Sequence, residues 1–429
     1  MLRVEPAAAL RGDLAVPGDK SVSHRVLMLG AVAEGETVVE GFGVSADTLS
    51  TAAAMRALGA GVEVEGERAR VEGVGLRGLR APGAPIDCGN AGTLMRILPG
   101  ILAGQGGRFE LVGDESLSRR PLERVAEPLR EMGARVETTE GHAPLVLEGG
   151  ARLRSISYDL PVASAQVKSC VLLGGLYAEP GPTLVHERHR SRDHTERLLA
   201  TAGAQVQVKP DVAAVFPAER LRPLRVTVPG DFSSAAPFLV AATLLAGSEL
   251  RVHGVGINPT RTGLLAVLER MGARVATFNR RFEGGEPVAD LEVEPAELVA
   301  TEIGAEEVPR LVDELPLFAL AAGLARGESV VSGAEELRVK ESDRLETVKD
   351  ALRPLGIHIQ TTHDGFRVRG VPSRPKGGGA IDAGGDHRIA MLGAVAGLVS
   401  REGVELRGAE TVAVSFPDFF AMLDSLALR

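Results

Sequence analysis

Basic side chains lie close to the predicted starts of several helices, in segments rich in glycine and small polar residues. These cations are Lys20, Arg25, Arg120, Lys340, Arg344 and Arg388. The amino-terminal end of a helix carries partial positive charge, so a cation there is unfavourable unless an anion is bound nearby. The pattern therefore predicts a site for small polyanionic substrates.

Two carboxylates lie among these cations. Asp313 precedes a predicted helix, and Glu341 stands between Lys340 and Arg344. A carboxylate held beside cations can take up and return a proton, so both residues are candidates for general acid–base catalysis. Lys340 and Arg344 are also spaced as like-charged neighbours on one helical face, which is unfavourable unless anions or carboxylates screen them.

The elements that would position these residues come from an internal duplication. The sequence Val-Pro-Gly-Asp occurs at 16–19 and again at 228–231, which divides the chain into near-equal halves. A glycine that opens a short strand pattern recurs at Gly35, Gly106, Gly181, Gly247, Gly327 and Gly403. A glycine that ends an apolar helix pattern recurs at Gly59, Gly133, Gly203, Gly272 and Gly356. Together these signals predict six α+β repeats of roughly 70 residues, three in each half.

Each repeat is predicted to contain two helices with polar caps. The first helices are expected to start near 18–21, 89–93, 164–166, 230–234, 312–314 and 385–388. The second helices are expected to start near 45–48, 118–121, 191–194, 258–261, 340–344 and 415–418. Threefold packing would gather these helix starts at one end of each half. If the two halves face each other, we expect the cations to line one cleft.

Composition narrows the possible functions. The chain has 429 residues, 44% of them hydrophobic, and a formal net charge of −9, which disfavours nucleic acid as the main partner. No apolar run approaches the ~18 residues of a membrane span, and the amino terminus has no signal-peptide pattern. Cys88 and Cys170 have no metal-ligand neighbours at useful spacing. We therefore expect a cytoplasmic protein without zinc, in which both cysteines fill core space.

Six segments carry a resemblance to a known family. They are GDKSVSHR (18–25), GNAGTLMR (89–96), SAQVK (164–168), RVKESDR (338–344), GDHRIAM (385–391) and SFPDFF (415–420). In this order and spacing the chain resembles the 5-enolpyruvylshikimate-3-phosphate synthases, also called 3-phosphoshikimate 1-carboxyvinyltransferases, over essentially its whole length. The resemblance implies an α+β fold of mixed helices and strands. This fold is a two-lobed inverse α/β barrel with six βαβαββ units, three per lobe in pseudo-threefold symmetry.

The resemblance also implies lobe boundaries and an activity. One lobe is expected at 19–228 and the other at 1–18 plus 229–429, with a hinge near 16–19 and 228–231. The family transfers the carboxyvinyl group of phosphoenolpyruvate to the 5-hydroxyl of shikimate 3-phosphate and releases phosphate, in the shikimate pathway to aromatic amino acids. No metal or organic cofactor is implied, and we expect a monomer.

Site residues are carried over from the family's motifs. Shikimate 3-phosphate is expected to contact Lys20, Ser21, Arg25, Ser164, Ala165, Gln166, Arg192, Asp313 and Lys340. Phosphoenolpyruvate is expected to contact Lys20, Gly92, Arg120, Gln166, Arg344 and Arg388. The resemblance makes Asp313 the base for the attacking hydroxyl, and Glu341, with Lys20 near it, the acid for the methylene carbon. Within the family the chain resembles the class II branch. Ala165 stands where the class I enzymes have a substrate-binding serine, and we expect Arg192 to compensate by binding the substrate phosphate.

Two other interpretations compete with this one. UDP-N-acetylglucosamine 1-carboxyvinyltransferase shares the fold, but that family uses a loop cysteine, and residues 106–120 contain none. A non-enzymatic scaffold or nucleic-acid clamp could also be built from six repeats. The acidic net charge and the clustered cations argue against it. Phosphate release from phosphoenolpyruvate with each acceptor would separate the three.

Overall fold

The chain forms two compact lobes in a computed structural model that describes all residues from Met1 to Arg429. Lobe I consists of Gly18–Pro229 together with the short segment Phe282–Glu286. Lobe II consists of Met1–Pro17, Gly230–Arg281 and Pro287–Arg429. Each lobe has its own hydrophobic core, built mainly of alanine, valine, leucine and isoleucine. No helix is both long enough and apolar enough to cross a bilayer.

Helices and strands alternate along the whole chain. The helices are α1 (Lys20–Ala31), α2 (Ala46–Ala57), α3 (Gly92–Leu102), α4 (Glu115–Ser118), α5 (Glu123–Glu131), α6 (Ala165–Gly175), α7 (His194–Thr201), α8 (Phe232–Leu244), α9 (Gly263–Arg270), α10 (Leu315–Gly323), α11 (Arg344–Leu352), α12 (His387–Val399) and α13 (Phe419–Leu426). The strands are β1 (Leu2–Val4), β2 (Ala9–Ala15), β3 (Glu34–Glu40), β4 (Gly61–Glu65), β5 (Arg68–Val74), β6 (Ile86–Asp87), β7 (Gly107–Val112), β8 (Arg135–Thr139), β9 (His142–Gly149), β10 (Ser157–Asp159), β11 (Thr183–His186), β12 (Val206–Val208), β13 (Val212–Val215), β14 (Arg225–Thr227), β15 (Glu249–Gly256), β16 (Arg274–Glu283), β17 (Glu286–Glu294), β18 (Glu302–Ile303), β19 (Gly327–Val331), β20 (His358–Thr361), β21 (Phe366–Gly370), β22 (Ala380–Asp382), β23 (Val404–Arg407) and β24 (Ala427–Leu428). Short 3-10 turns lie at Val308–Arg310, Glu335–Val339, Arg353–Leu355 and Ala409–Val414.

Lobe I contains three four-stranded sheets of one design, with strand orders β14-β3-β5-β4, β6-β7-β9-β8 and β10-β11-β13-β12. In each sheet the first pair is parallel and the other two pairs are antiparallel. In the second and third sheets a crossover helix joins the parallel pair, and in all three a hairpin follows the second helix. In the first sheet β14, from the end of the lobe, is the parallel partner of β3. The repeated sheet confirms the three repeats predicted for this half.

Lobe II repeats the same design, except that one sheet has a fifth strand, β24, and another has only three strands. Its sheets have the orders β16-β17-β15-β2-β24, β18-β19-β21-β20 and β1-β23-β22. In the last sheet the hairpin that follows the second helix elsewhere is missing, and β1 pairs antiparallel with β23 in its place. The amino-terminal strand therefore completes the sixth repeat. The predicted fold class, a mixed α/β chain of six repeats, is confirmed.

The two Val-Pro-Gly-Asp segments lie where the chain passes from one lobe to the other. Strand β2 belongs to the lobe II sheet, whereas α1, which follows it, belongs to lobe I. Strand β14 belongs to a lobe I sheet, and α8 then begins in lobe II. In the other repeats the parallel strand and its helix stay in one lobe. The duplicated motif is therefore a crossover between the lobes.

Local signals placed most helix ends correctly. The first helices of five repeats begin within the predicted segments, and α10 begins one residue later. All five predicted helix-end glycines have positive φ, from 86° at Gly203 to 100° at Gly59, as a left-handed helix end requires. Second helices α5, α9 and α13 begin later than predicted. These segments make a turn first: the Asn258 side chain, for example, accepts a hydrogen bond from the Thr260 amide at 3.0 Å before α9 starts.

Candidate active site

Arg344 gathers three carboxylates in lobe II. It is the first residue of α11 and is only 1% exposed. Its guanidinium donates from Nη1 to Asp313 Oδ1 at 3.1 Å and from Nε to Asp386 Oδ2 at 2.8 Å. A third bond runs from Nη2 to Glu341 Oε2 at 2.5 Å. The two predicted acid–base residues, Asp313 and Glu341, are therefore brought to the same guanidinium.

Opposite charges in this cluster overcome the penalty of burial. Burial alone would lower the pKa of Arg344, but the carboxylates of Asp386, Glu341 and Asp313 raise it above its usual value. Burial alone would likewise raise the pKa of Asp386, and the Arg344 guanidinium reverses this and lowers it. Both groups are therefore charged at neutral pH, and they fix the geometry around Asp313 and Glu341.

Lys340 is close to this cluster but does not lie on a helix. Its backbone is extended, with φ −84° and ψ −155°, at the end of the 3-10 turn and ahead of α11. The expected helical pair of Lys340 with Arg344 is therefore wrong, because α11 begins only at Arg344. Lys340 Nζ instead lies 3.5 Å from Glu336 Oε1. Burial lowers the pKa of Lys340, and Glu336 and Asp313 partly restore it.

Arg388 is the second residue of α12, and Asp386, the cap of this helix, also binds Arg344. Asp386 Oδ1 accepts a hydrogen bond from the Arg388 amide at 2.9 Å and so caps α12, while Oδ2 of the same carboxylate accepts from Arg344. The Arg388 side chain donates from Nη1 to the carbonyl oxygen of Ser233 at 3.3 Å. One buried aspartate thus binds the Arg344 guanidinium and the backbone amide of Arg388, the two arginines that were expected to contact phosphoenolpyruvate in this half of the chain.

In lobe I, the start of α1 is set by a close backbone contact. A Cβ at Gly18 would lie 1.8 Å from the carbonyl oxygen of Gly41, so only glycine fits there. Asp19 then caps the helix by accepting from the Val22 amide at 2.9 Å. Lys20, the first helical residue, donates from Nζ to Asp47 Oδ2 at 2.8 Å. The contact and the cap hold the ammonium group at the helix start.

Arg25 lies about one turn further along α1, among polar groups of lobe I. It donates from Nε to Thr195 Oγ1 at 2.7 Å and from Nη2 to Ser169 Oγ at 3.0 Å, and Nη1 binds the carbonyl oxygen of Ser21. Burial lowers the pKa of Arg25 to about 10; Glu196 opposes this effect, and the nearby Arg192 adds to it. A bound anion would offset the burial of this cation.

A second group in lobe I surrounds the start of α3. Arg96 donates from Nη1 to Gln166 Oε1 at 3.0 Å, and Arg120 donates from Nη2 to Asn90 Oδ1 at 2.6 Å. A Cβ at Gly92 would lie 3.0 Å from Arg96 Nη1 and 3.3 Å from Arg120 Nη1. Gly92, Arg120 and Gln166 therefore lie close together. Gly92 leaves the space that the two guanidiniums occupy.

The remaining expected contact residues lie at helix starts of the same lobe. Ser164 caps α6 by accepting from the Val167 amide at 3.4 Å, and Ala165 is the first helical residue. Ser21 is the second residue of α1. Arg192 is partly buried in the loop ahead of α7. The repeat architecture thus positions each of them at a helix start, where backbone N–H groups favour anions.

Other polar groups of lobe I serve the core. Lys168 is buried between Glu187 and Glu196, at 2.7 and 2.8 Å, and so acts as a structural ion pair. Both cysteines are buried, and burial raises the pKa of the Cys170 thiol to about 12. They fill core space, as the sequence predicts. His194 is also buried, and its Nδ1 lies 2.8 Å from Glu286 Oε1.

The buried histidine His24 is expected to make the protein less stable at acid pH. It is a fully buried residue of α1, and its Nδ1 lies 2.6 Å from Thr51 Oγ1. Burial lowers its pKa to about 3, against the opposing charge of Asp47. The imidazole of His24 is protonated near pH 6.5 in the unfolded chain but only near pH 3 in the folded protein. The free energy of unfolding therefore falls as the pH drops from about 6.5 towards about 3. Between about pH 7 and about pH 4.5, the free energy of unfolding should fall by about 2–3 kcal/mol less in His24→Asn than in the wild type.

Urea unfolding at several pH values would measure this effect. His358→Asn, on an exposed strand, is the matched control and should keep the wild-type pH dependence. If His24→Asn and the wild type lose the same stability over this pH range, then His24 does not stay neutral in the folded protein.

Sequence reasoning did not select several residues that the structure places beside the expected site. These are Asp47, Asn90, Arg261 and Asp386, which contact Lys20, Arg120, Asp313 and Arg344 respectively. Asp47 lies in the first turn of α2 and Asp386 caps α12, and neither position by itself indicates a second, long-range partner. Their pairing depends on which helix starts the fold brings together.

The chain is similar in sequence to known proteins over nearly its whole length. The family model for EPSP synthase (3-phosphoshikimate 1-carboxyvinyltransferase) matches residues 4–423. A 3-phosphoshikimate 1-carboxyvinyltransferase of Methylococcus capsulatus is 50% identical over 427 residues, which cover 99% of this chain and 96% of that protein. One of Geobacillus kaustophilus is 50% identical over 421 residues and covers 98% of both chains.

The chain is also similar in structure to solved proteins over nearly its whole length. The EPSP synthase of Acinetobacter baumannii has a TM-score of 0.88 and 43% identity, and the match covers 99% of this chain and 98% of that one. The enolpyruvyl transferase NikO of Streptomyces tendae has a TM-score of 0.79 at 21% identity, over 99% of this chain and 96% of that one, and it supports the fold alone. Taken with the full-length sequence match, these likenesses show that the chain belongs to the EPSP synthase (3-phosphoshikimate 1-carboxyvinyltransferase) family.

Proposed function

We propose that this transferase moves the enolpyruvyl group of phosphoenolpyruvate to the 5-hydroxyl of shikimate 3-phosphate, and that it serves the shikimate pathway to aromatic amino acids. The observation that carries the proposal is the family match over residues 4–423, with relatives of this activity at 50% identity. The alternative acceptor, UDP-N-acetylglucosamine, is not favoured. The arrangement of charged groups in each lobe supports the chemistry that follows.

Asp313 is proposed to be the base in the addition step. Its carboxylate is 18% exposed, so a ligand can reach it while Arg344 holds Oδ1 in place. Asp313 takes the proton of the 5-hydroxyl as that oxygen forms a bond to C2 of phosphoenolpyruvate. Lys340 is near Asp313. It is proposed to bind shikimate 3-phosphate and to offset the negative charge that develops on the oxygen of the 5-hydroxyl.

Glu341 is proposed to deliver the proton that C3 of phosphoenolpyruvate accepts, with Lys20 as the second candidate for this role. The Glu341 carboxyl is 20% exposed and is held by Arg344 at its other side. Protonation of C3 and attack on C2 together give a tetrahedral ketal phosphate. In the second step C3 returns a proton to the protein, the C2–O bond to phosphate breaks, and the departing phosphate takes up a proton.

The cations are proposed to divide between the two substrates. In lobe I, Arg25 and Arg192, with Ser21, Ser164, Ala165 and Gln166 near helix starts, would bind shikimate 3-phosphate. Arg120, beside Gly92 and Gln166, would bind phosphoenolpyruvate, and Arg344 and Arg388 of lobe II would bind it too. Fixed guanidiniums and helix starts are oriented before reaction, so they can stabilise developing phosphate charge without reorganising.

The chain is further proposed to act as a cytoplasmic monomer. Its two cysteines are free and buried, as is usual in a reducing compartment. Light scattering coupled to gel filtration would measure the mass in solution. A species of about one chain, with 44.9 kDa expected, supports this assignment, and a stable dimer contradicts it.

Phosphate release is the decisive assay for the proposed function. The chain is incubated with phosphoenolpyruvate and either shikimate 3-phosphate or UDP-N-acetylglucosamine, and free phosphate is measured over time. We expect release with shikimate 3-phosphate only. Release with the UDP-sugar alone would establish the alternative transferase, and release with neither would reject both.

Arg120→Ala is expected to weaken phosphoenolpyruvate binding more than it lowers kcat. Arg120 is 6% exposed, and its guanidinium lies beside Gly92 and Asn90 at the start of α3. Loss of one charge-assisted contact should raise the KM for phosphoenolpyruvate by about 10- to 100-fold, since such a bond contributes about 1.5–3 kcal/mol. Arg119→Ala, an exposed neighbour, is the control. An unaltered KM in Arg120→Ala would reject this placement.

A further inference from the structure

A buried arginine that the proposed mechanism does not use lies in lobe II, ahead of α9. Arg261 is 3% exposed. The loop that carries it is held locally, because Asn258 Oδ1 accepts from Thr260 Oγ1 at 2.8 Å and the Arg261 amide donates to the Asn258 carbonyl at 2.8 Å. Arg261 is therefore presented from a fixed turn towards the interior of the lobe.

The Arg261 guanidinium ties the start of α10 to the start of α8. Nη1 donates to Glu314 Oε1 at 3.0 Å, and Nη2 donates to Asp231 Oδ1 at 3.1 Å and to the Ser233 hydroxyl. Nη1 also lies 4.0 Å from Asp313 Oδ2. The two oxygens of the proposed base therefore face different guanidiniums, with Arg344 at Oδ1 and Arg261 at Oδ2.

The start of α10 has no side-chain cap, and its cap residue Glu314 is instead bound by Arg261. In α1, α6, α8 and α12 an aspartate or serine at the cap accepts from a backbone amide of the first turn. Glu314, the cap of α10, makes no bond of this kind, and its Oε1 binds Arg261 and the Ser233 hydroxyl. The position of Asp313, one residue earlier, thus depends on the anchoring of Glu314 by Arg261.

Arg261 also reaches a phosphate-binding candidate through Ser233. The Ser233 hydroxyl accepts from Arg261, and its carbonyl oxygen accepts from Arg388 Nη1 at 3.3 Å. Asp231 Oδ1 holds the Ser233 amide at 2.7 Å and binds Arg261 as well. Displacement of Arg261 would therefore disturb two segments that the mechanism uses.

We propose that Arg261 is a positioning residue for the reaction: it holds the Asp313 carboxylate and the Ser233 turn beside Arg388 in their reactive geometry. This inference rests on the proposed function, in which Asp313 is the base. A purely structural role would be different, because Arg261 would then stabilise lobe II by neutralising Asp231 and Glu314 without affecting turnover of the folded enzyme. The two roles differ in kcat per folded molecule.

The test compares Arg261→Lys and Arg261→Met in the full-length enzyme. Lysine keeps the charge but not the fork that reaches two helix starts at once, and methionine removes both. We expect kcat to fall by about 100-fold in Arg261→Met, as for a catalytic group displaced by about 1 Å, and by about 10-fold in Arg261→Lys. The KM for phosphoenolpyruvate should rise more than that for shikimate 3-phosphate, because the Ser233 turn that Arg261 holds lies beside Arg388.

Arg374→Met is the matched control for stability. Arg374 is a partly buried arginine of lobe II that donates to three backbone carbonyl groups, at Leu398, Val399 and Ser400, and it has no contact with the cluster. We expect this variant to be less stable to urea while its kcat stays at the wild-type value. All kcat values are measured where each variant is fully folded, as shown by its unfolding curve.

Crystal structures of the wild type and Arg261→Lys separate failure of this inference from failure of the proposed function. We expect the Asp313 carboxylate to move in the variant, by less than the ~1 Å that corresponds to a 100-fold loss of kcat. An unmoved carboxylate, or a folded Arg261→Met enzyme with wild-type kcat, would overturn the positioning role. If the wild type does not release phosphate with shikimate 3-phosphate, the proposed function fails, and the Asp313 position alone decides whether Arg261 holds this carboxylate.

Discussion

Asp313→Asn is expected to lower kcat by about 10²- to 10⁴-fold, the usual contribution of a positioned general base. The substitution keeps the size of the side chain and an oxygen that can accept from Arg344 Nη1, which lies 3.1 Å from Oδ1 in the native protein. What it removes is the ability to take the proton of the attacking hydroxyl. Because this interaction develops only in the transition state, the KM values for both substrates should change little.

Steady-state kinetics with both substrates would measure this effect. Asp364→Asn is a suitable control, because Asp364 caps a loop in lobe II through the Gly333 amide at 2.8 Å and is not part of the cluster. It should keep the wild-type kcat. A rise in KM with unchanged kcat in Asp313→Asn would instead make this residue a binding group and would require another base.

Arg344→Met is expected to destabilise the protein and to abolish turnover. The substitution leaves Asp313, Glu341 and Asp386 without their shared cation, and Asp386 is fully buried. Removal of one partner from a buried ion pair typically costs about 3–5 kcal/mol, because the remaining charge has lost its compensation. Urea unfolding should show a loss of this size, and phosphate release should fall below detection.

The double variant Arg344→Met with Asp386→Asn separates stability from activity. Neutralising the buried Asp386 should restore part of the lost stability, since the uncompensated charge is then removed. Activity should stay absent, because Asp313 and Glu341 still lack the guanidinium that orients them. Recovery of activity together with stability would mean that Arg344 acts only on the fold.

The sequence predicted the parts of this protein that obey local rules. Glycine at helix ends, Asp or Ser at helix starts and alternating strands each leave a signal within a few residues, and six copies of these signals made the repeats visible. Lys340 shows where such reasoning fails. Its spacing from Arg344 indicated one helical face, but α11 starts only after the Asp343 cap, so the two residues do not share a helix.

The pairing of side chains between repeats was decided by the tertiary structure. Arg344 bonds to Asp313 and Asp386, which are 31 and 42 residues away along the chain, and Arg261 bonds to Glu314 at a separation of 53. No local pattern encodes such partners, because any helix cap has the same sequence whether or not a second repeat presents a cation to it. The sequence alone therefore determined the kind of residue at each helix start. Only packing of the repeats determined which carboxylate meets which guanidinium, since that depends on backbone positions that hydrophobic burial in the whole lobe sets.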